Sequence, residues 1–213
     1  MSSETPTATP VSPCASVDIY DSLTFCKGQT VLPGIRPEVY FIPKSQILGW
    51  PTLPAPGDKD ATMSSIATYS GDFTLASDAV FRQLDVLTAA SNITSASQGD
   101  MPSKTFLITS TLKHAGNTEA ATGFCRMANC DDLVYVIRQR DGKFRVVGNE
   151  SFETNTNPSQ DSGMAVTDAS GTQLEVTVTD VCPAPFYVGK LPTKEGTIDC
   201  STGKIVADAG DGV

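Results

Sequence analysis

The feature that most constrains the fold of this chain is a set of short runs in which apolar and polar residues alternate. Residues 104–113 (KTFLITSTLK) and 172–181 (TQLEVTVTDV) alternate in this way, and residues 132–138 (DLVYVIR) are rich in β-branched side chains. A period of two is typical of strands, because successive side chains point to opposite faces of a sheet. Asp141-Gly142 separates residues 132–138 from a second apolar run at 144–148, which predicts a tight turn and an antiparallel hairpin. The chain is therefore predicted to be mainly β.

Weaker patterns predict the remaining elements. Extended segments are expected at residues 38–43, 46–51 and 66–75, and in a short run that follows residues 182–187. A second hairpin is expected to run from 163–167 through a turn at 168–171 into the strand at 172–181. Helical spacing of apolar residues predicts two short helices, at 77–87 and at 117–129, with Asn117 as the N-cap of the second. Residues 58–63 and 149–162 are expected to be loops.

These elements predict an antiparallel β-sandwich or β-barrel with one or two flanking short α-helices. Residues 1–13 are rich in Ser, Thr and Pro and are expected to form a flexible N-terminal arm. Residues 14–190 would form the sandwich with its flanking helix. Residues 191–213 are mostly polar and would form a C-terminal extension, with a small hairpin at 200–206.

The charge of the chain argues against a nucleic-acid-binding surface. The net charge is −9 at pH 7, and the isoelectric point is about 4.5. An acidic surface repels phosphates, so it is poorly suited to gripping DNA or RNA. It would suit a surface past which DNA slides, although acidity also simply keeps a protein soluble.

The cysteines do not form a recognisable metal-binding pattern. The six cysteines contain no CxxC pair, and the only histidine is His114. A zinc site with four ligands would have to recruit distant residues. We expect the cysteines to be buried free thiols that behave as small apolar side chains.

The same residues offer no catalytic set and no cofactor site. His114 lies at the end of a predicted strand, no GxSxG or GxxxxGK[ST] motif occurs, and a pair of His114 with Cys125 has no supporting motif. The carboxylate pairs Asp131-Asp132 and Asp58/Asp60 lack the spacing of a calcium loop. The chain is therefore predicted not to be an enzyme, with no catalytic, cofactor-binding or metal-ligating residues.

The sequence also predicts no contact with membranes. No run approaches the roughly 18 consecutive apolar residues of a membrane-spanning helix. Residues 1–13 contain neither a positive region nor an apolar core of the kind that signal peptides have, so synthesis in the cytoplasm is expected.

Two segments stand out by their sequence: residues 31–43 (VLPGIRPEVYFIP) and residues 141–150 (DGKFRVVGNE). Both resemble the major tail proteins of phages and prophages of Bacteroidetes hosts. The order of a strand, a flanking helix and an Asp-Gly hairpin over 106–148, followed by a second hairpin and the exit at 182–187, is similar as well. The resemblance covers roughly residues 25–190.

This resemblance implies a structural protein of the virion tail, assembled in the cytoplasm of a bacterial host. Such tail-tube subunits are sandwiches that form hexameric rings, and the rings stack into a hollow tube. The partners would be copies of the chain itself and other tail proteins, and DNA would pass through the lumen without specific binding. Residues 1–13, 31–56 and 149–162 would contact the neighbouring rings.

Two other classes of function remain open at this point. One is a head–tail connector, ring or capsid decoration protein of a phage. The other is a β-sandwich that acts in adhesion or glycan binding at a cell surface, which the absence of a signal peptide disfavours.

Overall fold

The computed structural model describes residues 18–165 and 167–206, which form fifteen strands and one α-helix. The predicted arm at residues 1–13 lies outside the described residues. The helix is α1 (Glu119–Ala128). The strands are β1 (Ile35–Pro43), β2 (Ile47–Gly49), β3 (Thr68–Tyr69), β4 (Thr74–Leu75), β5 (Arg82–Asp85), β6 (Asn92–Gln98), β7 (Thr105–Ala115), β8 (Leu133–Gln139), β9 (Phe144–Val147), β10 (Asn155–Asp161), β11 (Gly171–Asp180), β12 (Phe186–Tyr187), β13 (Lys190–Thr193), β14 (Gly196–Asp199) and β15 (Lys204–Val206).

The strands form two main sheets and two small ones. A six-stranded sheet has the order β3-β12-β9-β8-β1-β5, and a four-stranded sheet has the order β10-β11-β7-β6. Strands β13-β14-β15 and β2-β4 form the small sheets. Neighbouring strands are antiparallel except for the short pair of β3 and β12. The predicted fold class is confirmed as an antiparallel sandwich with one flanking helix, and no closed barrel forms within the described residues.

The six-stranded sheet is central because both of its faces are covered. On β8, Leu133, Tyr135 and Ile137 face one core, whereas Val134 and Val136 face another. A strand that is buried on both faces is a nearly continuous apolar run, which is the composition of residues 133–137.

The first core lies between the two main sheets. Val39 and Tyr135 of the six-stranded sheet pack in one cluster with Ile108 of β7 and with Leu174 and Val176 of β11. Helix α1 closes one side of this core, where the ring centroids of Phe124 and Phe41 lie 5.0 Å apart in a T-shaped contact.

The second core lies on the other face of the six-stranded sheet and includes part of the C-terminal region. Leu191, Ile198 and Cys200 are buried there together with Phe81 and Phe144. The segment expected to be a C-terminal extension therefore supplies core side chains through β13 and β14. The small hairpin expected at residues 200–206 is present. It consists of β14 and β15 and begins earlier than expected, at Gly196.

The predicted helix at residues 77–87 is wrong. Residues 82–85 form β5, which pairs with β1 so that Leu84 lies opposite Val39. Asp78 has a φ of +61°, a left-handed conformation that does not start an α-helix. Pairing with the free edge of β1 has overridden the helical spacing of the apolar side chains.

The second predicted hairpin is confirmed only in its later strand. Strand β11 pairs with β10, which lies within the segment predicted as a loop, and not with residues 163–167. Strand β10 was missed because it is polar and contains Pro158, a residue that sheets accept on an edge strand. The predicted strand at 66–75 is also interrupted, since a turn at Gly71 separates β3 from β4.

Candidate assembly surfaces

The His and Asp side chains that were considered as catalytic residues hold the backbone or a neighbouring lysine in place. The ring Nδ1 of His114 lies 2.7 Å from the carbonyl oxygen of Asp85 and therefore donates to the backbone. Asp132 Oδ2 lies 3.4 Å from Lys44 Nζ, and its Oδ1 accepts from Thr154 N. Asp58 Oδ2 accepts from Ala55 N in a turn. None of these contacts joins a nucleophile to a base.

Of the cysteines within the described residues, two are buried, two are exposed and Cys125 is half-buried. Cys182 and Cys200 are buried, and burial raises the pKa of their thiols to about 11 and about 12. Such thiols stay protonated at neutral pH and are poor nucleophiles. Cys26 and Cys130 are exposed, so the expectation of burial is wrong for these two.

The described part of the chain was also compared with the requirements of a metal site and of a membrane-spanning helix. Within residues 18–165 and 167–206, no three His, Cys, Asp or Glu side chains are grouped so that they could hold a metal ion. In the same ranges, no helix has the length and apolar character needed to cross a membrane.

The outward face of the four-stranded sheet is polar but carries few charges. It is covered mainly by hydroxyl and amide side chains, and the cross-strand bond from Gln98 Nε2 to Thr179 Oγ1 (3.0 Å) lies on it. The register places these side chains on it: Asn92, Thr94, Ala96, Gln98, Thr105, Leu107, Thr109, Thr111, Lys113, Asn155, Asn157, Ser159, Asp161, Gln173, Glu175, Thr177 and Thr179.

Both edges of this sheet are open in the sense that no further strand pairs with them, although α1 lies against β10, where Thr122 Oγ1 donates to Gln160 Oε1. Strand β6 pairs only with β7, and strand β10 pairs only with β11, so each has one side without a strand partner among the described residues. Pro158 lies inside β10, opposite Leu174. Proline has no backbone N–H, so it is tolerated in a strand only where that group would have pointed away from the neighbouring strand.

Residues 18–33, which we call the lead segment, form an exposed apolar surface. Every residue from Tyr20 to Gly34 is exposed, and the segment contains no strand or helix. Tyr20 and Leu23 are about nine-tenths exposed, at 89% and 90%, and Phe25, Val31 and Leu32 are also exposed. Sequence reasoning placed contact segments at 1–13, 31–56 and 149–162, so it included Val31 and Leu32 but not residues 18–30.

Three clefts lie around the second core. One, of about 640 Å³, has both signs of charge, with Arg82, Arg138 and Lys194 set against Glu38 and Glu195. The second, of about 670 Å³, already borders Leu23 of the lead segment. The third, of about 310 Å³, is lined by Trp50, Leu53, Glu150, Phe152, Asp180 and Val181 among others, and we call it the acidic cleft.

The acidic cleft has two carboxylates and no Lys or Arg among its lining residues. Asp180 is only 3% exposed, and its Oδ1 accepts from Val181 N and Cys182 N at 2.6 and 3.3 Å. Its Oδ2 is buried. Burial raises the pKa of this carboxyl, and the N–H groups of Cys182 and Val181 and a hydrogen bond from the Asn149 side chain partly offset that effect.

Comparison of the chain with family models, with curated proteins and with solved structures finds no match. Function is therefore inferred from the surfaces described above.

Proposed function

We propose that this protein is a structural subunit of a bacteriophage tail tube, in which copies join edge to edge into rings and the rings stack around a DNA conduit. The observation that carries the proposal is the four-stranded sheet, which combines two open edges with a hydrophilic outward face. The same sheet packs its inner face against the first core. Its outward face can therefore line a lumen while its inner face keeps the packing that stabilises the subunit.

The open edges favour association between copies. Unpaired N–H and C=O groups on an exposed edge invite pairing with another chain. If β6 of one copy pairs with β10 of its neighbour, the same contact repeats around a closed ring and leaves no free edge in that sheet. Pro158 removes one donor from the edge of β10 and so restricts the registers in which a neighbour can pair.

The outward face is suited to a lumen through which DNA moves. Its charged side chains within the four strands are Asp161, Glu175 and Lys113, which give one net negative charge. Tight binding of DNA requires several Lys or Arg contacts to phosphates. A wall of hydroxyl and amide groups stays hydrated, and Lys113 alone supplies too little positive charge to hold the phosphates.

Negative-stain electron microscopy and sedimentation of the purified full chain test this proposal. We expect hollow tubes or stacked rings. Ser95→Lys combined with Ser159→Lys places charge on both open edges and should abolish assembly while leaving the circular dichroism spectrum unchanged. The matched control is Ser77→Lys, an exposed position outside both sheets, which should assemble like the wild type.

Other outcomes would redirect the proposal. Isolated closed rings that never stack would favour a connector or ring protein of the virion. Monodisperse monomers at high concentration, or an edge variant that assembles normally, would contradict the tail-tube assignment.

A further inference from the structure

Three aromatic side chains line the acidic cleft. Trp50 is half-buried, Phe152 is exposed and Tyr69 is buried. The ring of Trp50 packs against Phe73 of the second core, with centroids 5.4 Å apart in a T-shaped contact that holds the indole in place from the core side. The face of an aromatic ring carries a partial negative charge and attracts cations, most strongly for tryptophan. The cleft therefore presents aromatic rings together with carboxylates.

The two carboxylates of the cleft lie close to these rings. Glu150 is exposed and Asp180 is buried. Burial raises the pKa of Tyr69, and the charges of Asp180 and Glu150 add to that rise, so both carboxylates are within electrostatic reach of the Tyr69 hydroxyl. Lys44 donates to the carbonyl of Phe152 but is not among the residues that line the cleft. The electrostatic character of the cleft among the described residues is therefore negative.

Hydrogen bonds between distant segments hold the cleft in shape. Thr52 and Ser70 exchange two backbone hydrogen bonds of 2.9 and 2.8 Å, which bring residues 50–53 beside the end of β3. Asn149 Oδ1 accepts from the two N–H groups of residues 151–152, and its Nδ2 donates at 2.8 Å to a backbone carbonyl of β11. A site whose walls are already ordered loses less entropy when a ligand binds.

The hydrogen bonds of Asp180 indicate which kind of cation fits. The N–H groups of Val181 and Cys182 bond one oxygen of this carboxyl, and the Asn149 side chain also bonds it. Asp180 therefore supplies negative charge but few free acceptors. A primary ammonium has three N–H donors that lose water on entering a cleft and need acceptors there. A quaternary ammonium has no N–H, and it is attracted by charge and by aromatic faces alone.

The size of the cleft suits a small ligand. Its volume of about 310 Å³ lies at the lower end of the range of about 300–1,000 Å³ that small-molecule sites span. We propose that the acidic cleft binds a small free organic cation with a methylated ammonium head. The head contacts the rings of Trp50, Tyr69 and Phe152, and the two carboxylates balance its charge. A lipid headgroup is a poorer fit, because its phosphate would lie near those carboxylates.

Fluorescence titration of the dilute full chain tests this site, because Trp50 is the only tryptophan. Choline is the probe. Ethanolamine carries a primary ammonium instead of the trimethylammonium head, and the neutral analogue of choline has a tert-butyl group in that place. We expect choline to change the emission of Trp50 in a saturable way and ethanolamine to bind about tenfold more weakly. The neutral analogue and sodium chloride at the same concentrations should give no saturable change.

Two substitutions in the cleft should weaken the binding of choline. Phe152→Leu removes one ring and should weaken it by about tenfold. Glu150→Gln removes one charge and should weaken it by about threefold. The matched controls are Phe25→Leu and Glu153→Gln, at exposed positions that do not line the cleft, and both should bind choline like the wild type. Saturation-transfer NMR on the methyl protons of choline measures the same affinities independently of tryptophan emission, and circular dichroism checks the fold.

The outcomes distinguish the parts of this inference. No saturable response to choline in either measurement, or an unchanged affinity in Phe152→Leu, would overturn the site. Ethanolamine that binds as tightly as choline would overturn the preference for a methylated head, and phosphocholine that does so would overturn the assignment to a free cation. Ring and tube assembly is measured separately by electron microscopy, so the site and the proposed function stand or fall independently.

Discussion

At the scale of single residues, the most unusual group is the carboxyl of Asp180. It lies at the end of β11, where the N–H groups of Val181 and Cys182 bond one oxygen and the Asn149 side chain also bonds the carboxyl. Burying an ionised carboxylate without a cation costs free energy, and the raised pKa reflects that cost. Asp180 therefore lowers the stability of the folded state at neutral pH.

The pH dependence of stability follows from the sign of this shift. The folded pKa of Asp180 lies above its unfolded value of 3.8, so the folded state binds the proton more tightly. Its contribution to stability is therefore present at low pH and is lost as pH rises through the folded pKa. We expect Asp180→Asn to remove this loss, so that the variant gains stability relative to the wild type between pH 4 and pH 7.

Urea denaturation of dilute, unassembled protein at both pH values measures the effect. Other carboxyls titrate over the same range, but they cancel in the difference between variant and wild type. If the free energy of unfolding differed between variant and wild type by the same amount at pH 4 and at pH 7, the pKa of Asp180 would be the same in the folded and unfolded states.

At the scale of elements, α1 shows how local signals locate a helix to within a residue or two. Residues 117–129 were predicted to be helical, and α1 spans Glu119–Ala128. The cap is Thr118, whose Oγ1 accepts from Ala121 N at 3.2 Å, and not the predicted Asn117. Asn117 instead donates from Nδ2 to Asp161 O, at the end of β10. A long-range contact has drawn the expected cap residue away from the helix.

Removing the true cap should destabilise the protein. We expect Thr118→Ala to lower the free energy of unfolding by about 1 kcal/mol, because the N–H of Ala121 loses its acceptor. Thr118→Ser keeps the hydroxyl and should retain most of that stability. Chemical denaturation measures both, and equal losses in the two variants would show that the cap bond does not contribute.

The prediction at 77–87 failed for a related reason. Phe81 and Leu84 are spaced as on a helix, but Phe81 is fully buried in the second core and Leu84 packs against the first. A strand sends alternate side chains to opposite faces of a sheet, so an odd separation in sequence puts these two on different faces. The apolar spacing alone does not distinguish this arrangement from one helical face.

At the scale of the whole molecule, charge is distributed so that the proposed lumen face carries little of it. The net charge of the chain is −9, yet the outward face of the four-stranded sheet holds two carboxylates and one ammonium group. Most of the acidity therefore lies elsewhere, including the acidic cleft. A nearly neutral hydrophilic wall is consistent with passage of DNA, whereas a basic wall would hold it.

Adding cations to this face should create DNA binding. Thr109 and Thr177 are directly opposed on β7 and β11, so Thr109→Arg with Thr177→Arg places two guanidinium groups side by side. We expect purified subunits of this variant to bind duplex DNA about tenfold more tightly at about 50 mM salt than at about 200 mM, because two phosphate contacts are added. Fluorescence anisotropy measures the binding, and Thr109→Gln with Thr177→Gln is the neutral control. Tight binding of DNA by the wild-type subunit would argue against the conduit.

The sequence alone determined the strands whose patterns are local. Residues 132–138 are apolar over most of their length and become the central strand β8, and the Asp141-Gly142 turn places β9 beside it. Only the tertiary structure decided that β5 is a strand, that polar β10 pairs with β11, and that Leu191 enters the core. The acidic cleft likewise joins residues near 50, 150 and 180. Alternation and turn chemistry act between neighbours along the chain, whereas these features depend on pairing and burial between segments far apart in sequence.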